Sequence, residues 1–226
     1  MLARFSRYVL RTTDVAAATS FYDAVLGQRR DEIVPLPEPA IARGARPHWL
    51  GQIAARELGG AEAVAARFVE RGAQRLGPPS NGGDTVVLRD PGGAILGLTD
   101  AQHESPTGVV WHQLNTREQA TAMANYSALF GWAFTEQIDL GVLGRHQRFA
   151  FGSGESSVGA FSDVEGRPGV HTHWLFFFAV PSLDVALELV HMHGGIAIGP
   201  LELPDGARIA ACDDPQGAAF GLIERS

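Results

Sequence analysis

Several histidine, amide and aromatic side chains stand at spacings that suit ligand binding. His171 and His173 alternate onto one side of an extended segment, as two metal ligands on a strand would. The same alternation places Trp111, Gln113 and Asn115 on one face of a predicted strand. An aromatic wall beside two carboxamides suits a small planar or polar ligand. These two groups are therefore the candidates for a ligand-binding surface.

Each group also has a purely structural interpretation, in which the histidines at the start of a strand are solvated or hydrogen-bonded in the core and Trp111 fills the interior of the barrel. Because no carboxylate accompanies the histidine pair, we expect His173 to line a pocket rather than to bind a metal ion. His48 holds the equivalent place earlier in the chain, so a structural role for both remains open. Arg7 and Arg11 share a predicted strand face that would favour an anionic ligand. Since buried unpaired arginine is rare, we expect that face to be open and solvated.

The chain contains two halves with the same sequence pattern. Pro47-His48-Trp49-Leu50 is echoed by Thr172-His173-Trp174-Leu175, and Asp90-Pro91-Gly92-Gly93 by Asp214-Pro215-Gln216-Gly217. Both echoes have nearly the same offset, so the repeat is structural rather than accidental. It predicts two domains, which we place at residues 1–103 and 107–226 with a short polar linker between them.

Hydrophobic periodicity and turn residues predict a strand-helix-strand-strand-strand order that occurs about four times. Such units are too small to bury a sheet face alone, so they must pair. The first unit is shortened, because Trp49 follows Gly27 by 22 residues whereas Trp174 follows Gly131 by 43. We therefore expect an α+β fold whose first sheet is incomplete.

Composition narrows the partners and the compartment. The formal net charge is −7 and the sequence has no cluster of lysine and arginine. Both facts argue against nucleic acid or an acidic membrane surface as the main binding partner. The longest apolar run, Trp174–Val180, is far shorter than a membrane span, and the first seven residues lack the apolar core of a secretory signal. Cys212 is the only cysteine, so no internal disulfide can form, and we expect a cytoplasmic protein.

The repeated sequence motifs indicate a resemblance to a known family. Phe21-Tyr22-Asp23-Ala24-Val25-Leu26-Gly27 and Tyr126-Ser127-Ala128-Leu129-Phe130-Gly131-Trp132 end the first helix of each half, and an Asp-Pro-x-Gly turn enters the last strand of each half. With these motifs the chain resembles the vicinal-oxygen-chelate superfamily, which includes glyoxalase I, bleomycin-resistance proteins and extradiol dioxygenases. The resemblance implies four βαβββ modules paired into two glyoxalase-like half-barrel domains, the first module being truncated.

The resemblance also allows a test for the family's metal site. Metal-dependent members place a ligand on the first strand of a module and a glutamate on its last strand. The matching positions here hold residues without a suitable ligand atom: Arg7, Leu50, Gly97, Trp111, Leu175 and Gly221. We therefore expect no metal cofactor, and we expect Gly97 and Gly221 to leave space where a metal ion would have stood.

The leading hypothesis is a metal-independent protein that binds a small apolar or aromatic metabolite or antibiotic. No catalytic residue is assigned, and the predicted ligand-binding residues are Trp111, Gln113, Asn115, Phe149, His173 and Phe177. The alternative is a lyase, isomerase or dioxygenase-type enzyme with an atypical histidine-based divalent metal site. A third possibility is a scaffold whose incomplete first sheet pairs with a second copy to form a homodimer.

Overall fold

The computed structural model describes residues 3–27, 32–77, 85–101 and 108–225. The elements of the first half are β1 (Phe5–Thr12), α1 (Val15–Leu26), β2 (Glu32–Pro35), α2 (Glu38–Ile41), β3 (His48–Ala54), α3 (Ala61–Glu70), β4 (Gln74–Arg75), β5 (Thr85–Arg89) and β6 (Ile95–Thr99). Those of the second half are β7 (Val109–Thr116), α4 (Gln119–Phe130), β8 (Ala133–Asp139), β9 (Arg145–Ala150), β10 (Gly159–Asp163), β11 (His173–Ala179), α5 (Leu183–Met192), β12 (Ile196–Glu202), β13 (Arg208–Asp213) and β14 (Ala219–Glu224).

The strands form two sheets, which confirms the predicted α+β class. The first sheet has six strands in the order β2-β1-β3-β6-β5-β4, and the second has eight in the order β12-β13-β14-β11-β7-β10-β9-β8. Within the described ranges only β2 follows α1 before β3, whereas three strands follow α4 before β11. The first sheet is therefore the shorter one, as the missing residues of the first module predicted.

Side-chain caps explain where two of the helices begin. The Asp14 carboxylate accepts a hydrogen bond from the Ala17 N–H at the start of α1, at 3.0 Å. The Ser182 hydroxyl accepts one from the Val185 N–H at the start of α5. Each cap satisfies a donor that the first helical turn leaves unpaired. No helix of the described ranges is long and apolar enough to cross a membrane.

The chain packs into two compact units. One takes its described residues from Met1–Arg7, Gly51–Glu104 and His112–Trp174, and the other from Tyr8–Leu50, Ser105–Trp111 and Leu175–Ser226. Both units therefore draw on both sequence halves. The domain boundaries at 103 and 107 remain a prediction, and the linker between them lies outside the described residues.

Inside the first of these units, a buried hydrogen-bond chain connects the tryptophan, tyrosine and aspartate of the repeated sequence motifs. The Trp174 indole N–H donates to the Tyr126 hydroxyl at 3.2 Å, and that hydroxyl donates to Asp90 Oδ2 at 3.2 Å. Asp90 Oδ1 accepts the Ala94 N–H at 2.8 Å, which closes the Asp-Pro-Gly-Gly turn. The tyrosine of one sequence half is thus bonded to the turn aspartate of the other.

The second unit repeats this chain with the corresponding residues. The Trp49 indole N–H donates to the Tyr22 hydroxyl at 2.9 Å, and Tyr22 donates to Asp214 Oδ2 at 3.3 Å. Asp214 Oδ1 accepts the Ala218 N–H at 2.9 Å. Burial raises the pKa of the Tyr22 hydroxyl well above its usual value, so it stays protonated and able to donate. The two chains are structural, because every polar group in them is used to hold the fold.

Candidate functional site

Three of the predicted site residues form one polar chain along β7 and β11. The Gln113 carboxamide N–H donates to Asn115 Oδ1 at 2.8 Å, and the Asn115 carboxamide N–H donates to His173 Nε2 at 3.3 Å. His173 Nδ1 lies 2.8 Å from the His171 carbonyl oxygen. A carbonyl oxygen can only accept, so Nδ1 carries the proton of His173. The structure thus brings Gln113, Asn115 and His173 together.

The protonation state of His173 follows from this geometry and from burial. Burial lowers the pKa of His173 to about 4, so the ring is neutral at physiological pH. Its Nε2 lone pair accepts from Asn115 and its Nδ1–H donates to His171, so both ring nitrogens are engaged. The His171 ring stacks on that of His173 with centroids 4.5 Å apart. These bonds leave the Gln113 carbonyl oxygen as the acceptor at the end of the chain.

Two other predicted residues belong to an apolar cluster in the second compact unit. Phe177 is 3% exposed, and its strand β11 pairs with β14 so that Phe177 lies opposite Gly221. The buried members of the cluster are Leu175, Phe177, Ala207 and Ile223, and the partly buried hydrophobic residues around them are Val110, Trp111, Leu203, Ile209 and Ala219. Trp111 therefore stands at the margin of this cluster and keeps part of its surface exposed.

Phe149 does not join Gln113, contrary to the predicted pocket. β10 pairs with β9 and β7 so that Gly159 lies opposite both Phe149 and His112. Since cross-strand partners point to the same side of a sheet, Phe149 shares the His112 face and points away from Gln113. Its ring is fully buried and stacks on Trp132 with centroids 4.7 Å apart. Phe149 is consequently a core residue of the helix-covered face.

The residues at the family's metal positions do not fit a metal ion. Trp111 offers only an N–H donor, and Leu175 and Gly221 carry no ligand atom. The expected empty space beside Gly221 is absent, because a Cβ atom built there would lie 2.3 Å from Cδ1 of Phe177. Among the residues that the structure describes, no three histidine, cysteine or acidic side chains are grouped to hold a metal ion.

The equivalent glycine of the first half is also covered. A Cβ atom built on Gly97 would lie 2.8 Å from Cγ of Gln52, whose strand β3 pairs with β6 at this position. Gln52 is 4% exposed, and its side-chain carbonyl oxygen has no hydrogen-bond partner among the described residues. The expectation that the twin glycines leave open space is therefore wrong for both.

Arg11 and His48 are more buried than the sequence predicted. Arg11 is half-buried rather than solvated, and this burial lowers the pKa of its guanidinium. His48 Nδ1 lies 2.7 Å from the Arg46 carbonyl oxygen, while His48 Nε2 is buried without a hydrogen-bond partner in the described ranges. The repeat carried a signal for this pair, because it aligns His48 with His173 and Arg11 with Asn115.

Comparison with known proteins gives consistent matches. The family model described as Glyoxalase/Bleomycin resistance protein/Dioxygenase superfamily matches residues 108–222. A Mycobacterium tuberculosis protein named "Putative glyoxylase CFP32" is 29% identical over 248 residues, covering 95% of this chain and 92% of that protein. The anthracycline biosynthesis protein DauV of Streptomyces sp. (strain C5) is 26% identical over 132 residues, covering 52% of this chain and 47% of that protein.

Two dioxygenases are among the solved structures with the same fold. The homoprotocatechuate 2,3-dioxygenase of Arthrobacter globiformis superposes with a TM-score of 0.65 at 16% identity, covering 99% of this chain and 80% of the other. The 2,3-dioxygenase LapB of Pseudomonas sp. KL28 gives a TM-score of 0.64 at 13% identity, covering 98% and 91%. At these identities the likeness establishes the fold alone.

Proposed function

Because this chain belongs to the Glyoxalase/Bleomycin resistance protein/Dioxygenase superfamily, yet its residues at the metal positions carry no ligand atoms, we propose that it binds a small apolar or aromatic molecule without a metal ion. The observation that carries the proposal is the apolar cluster around Phe177, which fills the space beside Gly221 with an aromatic ring. Where family members would place a glutamate, this protein packs the buried Phe177 ring, and the partly buried residues around it form an apolar margin.

The margin of the cluster is suited to an aromatic ligand. Trp111, Leu203 and Ile209 are only partly buried against Leu175 and Phe177. A flat apolar ligand on this margin would remove their remaining surface from water, which contributes roughly 25 cal/mol for each Å². The Trp111 indole adds an aromatic face for offset or edge-to-face contact. Affinity would therefore come from apolar contact rather than from chelation of ligand oxygens.

The enzyme alternative requires a different arrangement of the histidines. A divalent ion at His173 would need the Nε2 lone pair that now accepts from Asn115, and Nδ1 is turned to the His171 carbonyl. No specific contact of the described residues favours such a site over the hydrogen-bonded arrangement. Pairing of two copies through the first sheet remains a prediction.

Ligand binding and metal content can be tested on the same preparation. The untagged protein is purified without chelator, its zinc, iron, manganese and nickel are measured, and it is titrated with 1-naphthol and with an anthracycline, the latter because of the name of the Streptomyces relative. We expect less than one-tenth of a metal ion per chain and saturable binding that quenches tryptophan fluorescence. Trp111→Ala should weaken binding at least about tenfold, since a buried aromatic anchor typically contributes that much. Met192→Ala, at a side chain that is 76% exposed, is the control and should bind normally.

Two results would overturn the proposal. About one metal ion per chain that is lost in His173→Ala would make metal-assisted catalysis the leading function. Equal affinity of the wild type and Trp111→Ala, or no binding of either probe, would show that the apolar cluster is only a core.

A further inference from the structure

His48 holds an acceptor that the described residues leave unused. Its Nδ1 lies 2.7 Å from the Arg46 carbonyl oxygen, so Nδ1 carries the proton and donates. In the neutral ring Nε2 then has a lone pair and no hydrogen. This Nε2 atom is buried and has no hydrogen-bond partner within the described ranges. A buried acceptor without a donor costs free energy, and few occur in native proteins.

The second half shows how the same histidine position is satisfied without a ligand. His173 turns its Nδ1 to the carbonyl oxygen two residues earlier, as His48 does, but its Nε2 accepts a hydrogen bond from Asn115. The repeat aligns Arg11 with Asn115. At the position of the capping carboxamide, the first half therefore carries a guanidinium that does not bond to the ring.

Arg11 has no counter-ion among the residues that the structure describes. It is half-buried and makes no hydrogen bond or ion pair with any residue in the described part of the chain. Arg11 lies on β1 and His48 on β3, and these two strands are hydrogen-bonded neighbours in the first sheet. Burial lowers the pKa of both side chains, and the Arg11 charge adds to the lowering at His48, as expected for neighbouring groups. Arginines that are withdrawn from water are normally paired with a carboxylate or a phosphate.

The buried acceptor of His48 and the half-buried cation of Arg11 define a complementary ligand. A guanidinium binds a carboxylate through two parallel N–H···O bonds, and a neutral Nε2 accepts from a hydroxyl. We propose that Arg11 and His48 form a second ligand site, which binds a small hydroxycarboxylate with its carboxylate on Arg11 and its hydroxyl donating to His48 Nε2. This site is independent of the apolar cluster, because both residues belong to Tyr8–Leu50 and neither is a cluster member. Since the chain has a formal charge of −7, non-specific attraction of anions does not account for such binding.

The proposal is tested with lactate and propionate, which differ only in the hydroxyl group. Binding is measured by calorimetry, and the ¹⁵N shift of His48 Nε2 is followed during each titration at neutral pH. We expect lactate to bind at least about tenfold more tightly than propionate, since the hydroxyl pairs with a desolvated acceptor. Lactate alone should move the Nε2 resonance. This shift is measured on the wild type, so the test does not depend on any variant folding.

Variants test which residue binds the carboxylate of the ligand and which binds its hydroxyl group. Arg11→Gln should weaken lactate and propionate alike, whereas His48→Phe should remove only the difference between them. Arg11→Asn should bind neither anion, because its carboxamide can cap His48 as Asn115 caps His173. Arg43→Gln makes the same charge change at an exposed position and should bind normally. The site is refuted if lactate does not bind, if lactate and propionate bind equally, or if Arg43→Gln loses as much affinity as Arg11→Gln.

Discussion

Replacing Gly221 by alanine measures how tightly Phe177 fills the position where the family has a glutamate. The new Cβ atom would lie 2.3 Å from Phe177 Cδ1, whereas ordinary contact is 3.4–4 Å. The backbone at Gly221 does not have a positive φ, so alanine is not strained there and the ring contact decides the outcome. Phe177 is 3% exposed and has little room to move.

The magnitude follows from two opposing terms. Adding a methyl group to a packed core typically costs about 1–3 kcal/mol, because neighbouring side chains leave their preferred rotamers. Removing a glycine from a strand recovers about 0.5–1 kcal/mol of backbone entropy. We therefore expect Gly221→Ala to lower the free energy of unfolding by about 1–2 kcal/mol.

Gly97→Ala is the matched control, because Gly97 is the equivalent position of the first half. Its Cβ would meet Cγ of Gln52 at 2.8 Å, which is a less close approach than at Gly221, and a rotation of the unbranched Gln52 side chain can relieve part of it. The Gln52 carbonyl oxygen has no hydrogen-bond partner in the described residues, so such a rotation breaks no bond at that atom. Because Gln52 is itself buried, we expect Gly97→Ala to lower the free energy of unfolding, but by less than Gly221→Ala does.

The assay is urea unfolding followed by tryptophan fluorescence, with both glycine variants, the single variant Phe177→Leu and the double variant Gly221→Ala/Phe177→Leu. The smaller leucine should reduce the cost of the alanine by about 1 kcal/mol, which is a usual coupling energy for residues in contact. Equal stability of Gly221→Ala and Gly97→Ala, or no coupling to Phe177→Leu, would show that Phe177 does not occupy the glutamate position.

Two further predictions concern buried polar groups. Tyr126→Phe removes the hydroxyl that accepts from the Trp174 N–H and donates to Asp90. The free energy of unfolding should fall by about 1–3 kcal/mol in urea melts, and a loss below about 0.5 kcal/mol would contradict the structural role of this hydrogen-bond chain. His112, which stacks on Phe5, has its pKa lowered by burial from 6.5 to about 4. The unfolded chain therefore binds a proton that the native state does not, and stability should fall by about 3 kcal/mol as the pH drops from 6.5 to 4. In His112→Phe this part of the pH dependence should be missing; an unchanged dependence would place the titrating group elsewhere.

Local periodicity was enough to predict the polar part of the candidate site. Gln113 and Asn115 alternate along one strand, so their common face follows from covalent geometry alone, and the echo of His48 by His173 indicated the adjoining strand. Phe149 was misplaced because its face depends on which residue of β10 it pairs with. The structure pairs it with Gly159, and a register cannot be counted from spacing within one strand.

Arg11 shows the same limit for burial. Its strand face was predicted, but its exposure depends on what packs around it, and the expectation of a solvated face relied on how arginines usually behave. Likewise, the sequence places a glycine, Gly221, where the family has a glutamate, so no carboxylate can occupy this position. Only the structure shows that the Phe177 ring covers it.

The sequence by itself determined the repeat, the α+β class, the shortened first module and the absence of ligand atoms at the metal positions, because each is a property of residue type and of spacing along one element. The tertiary structure decided that Tyr126 bonds to Asp90 and that Tyr22 bonds to Asp214. The tyrosine of each sequence half therefore donates to the turn aspartate of the other half. Because the two Asp-Pro-x-Gly turns are nearly identical, the sequence contains two equivalent aspartates with which each tyrosine could pair. The choice between them is made by long-range packing of whole units, which no local pattern encodes.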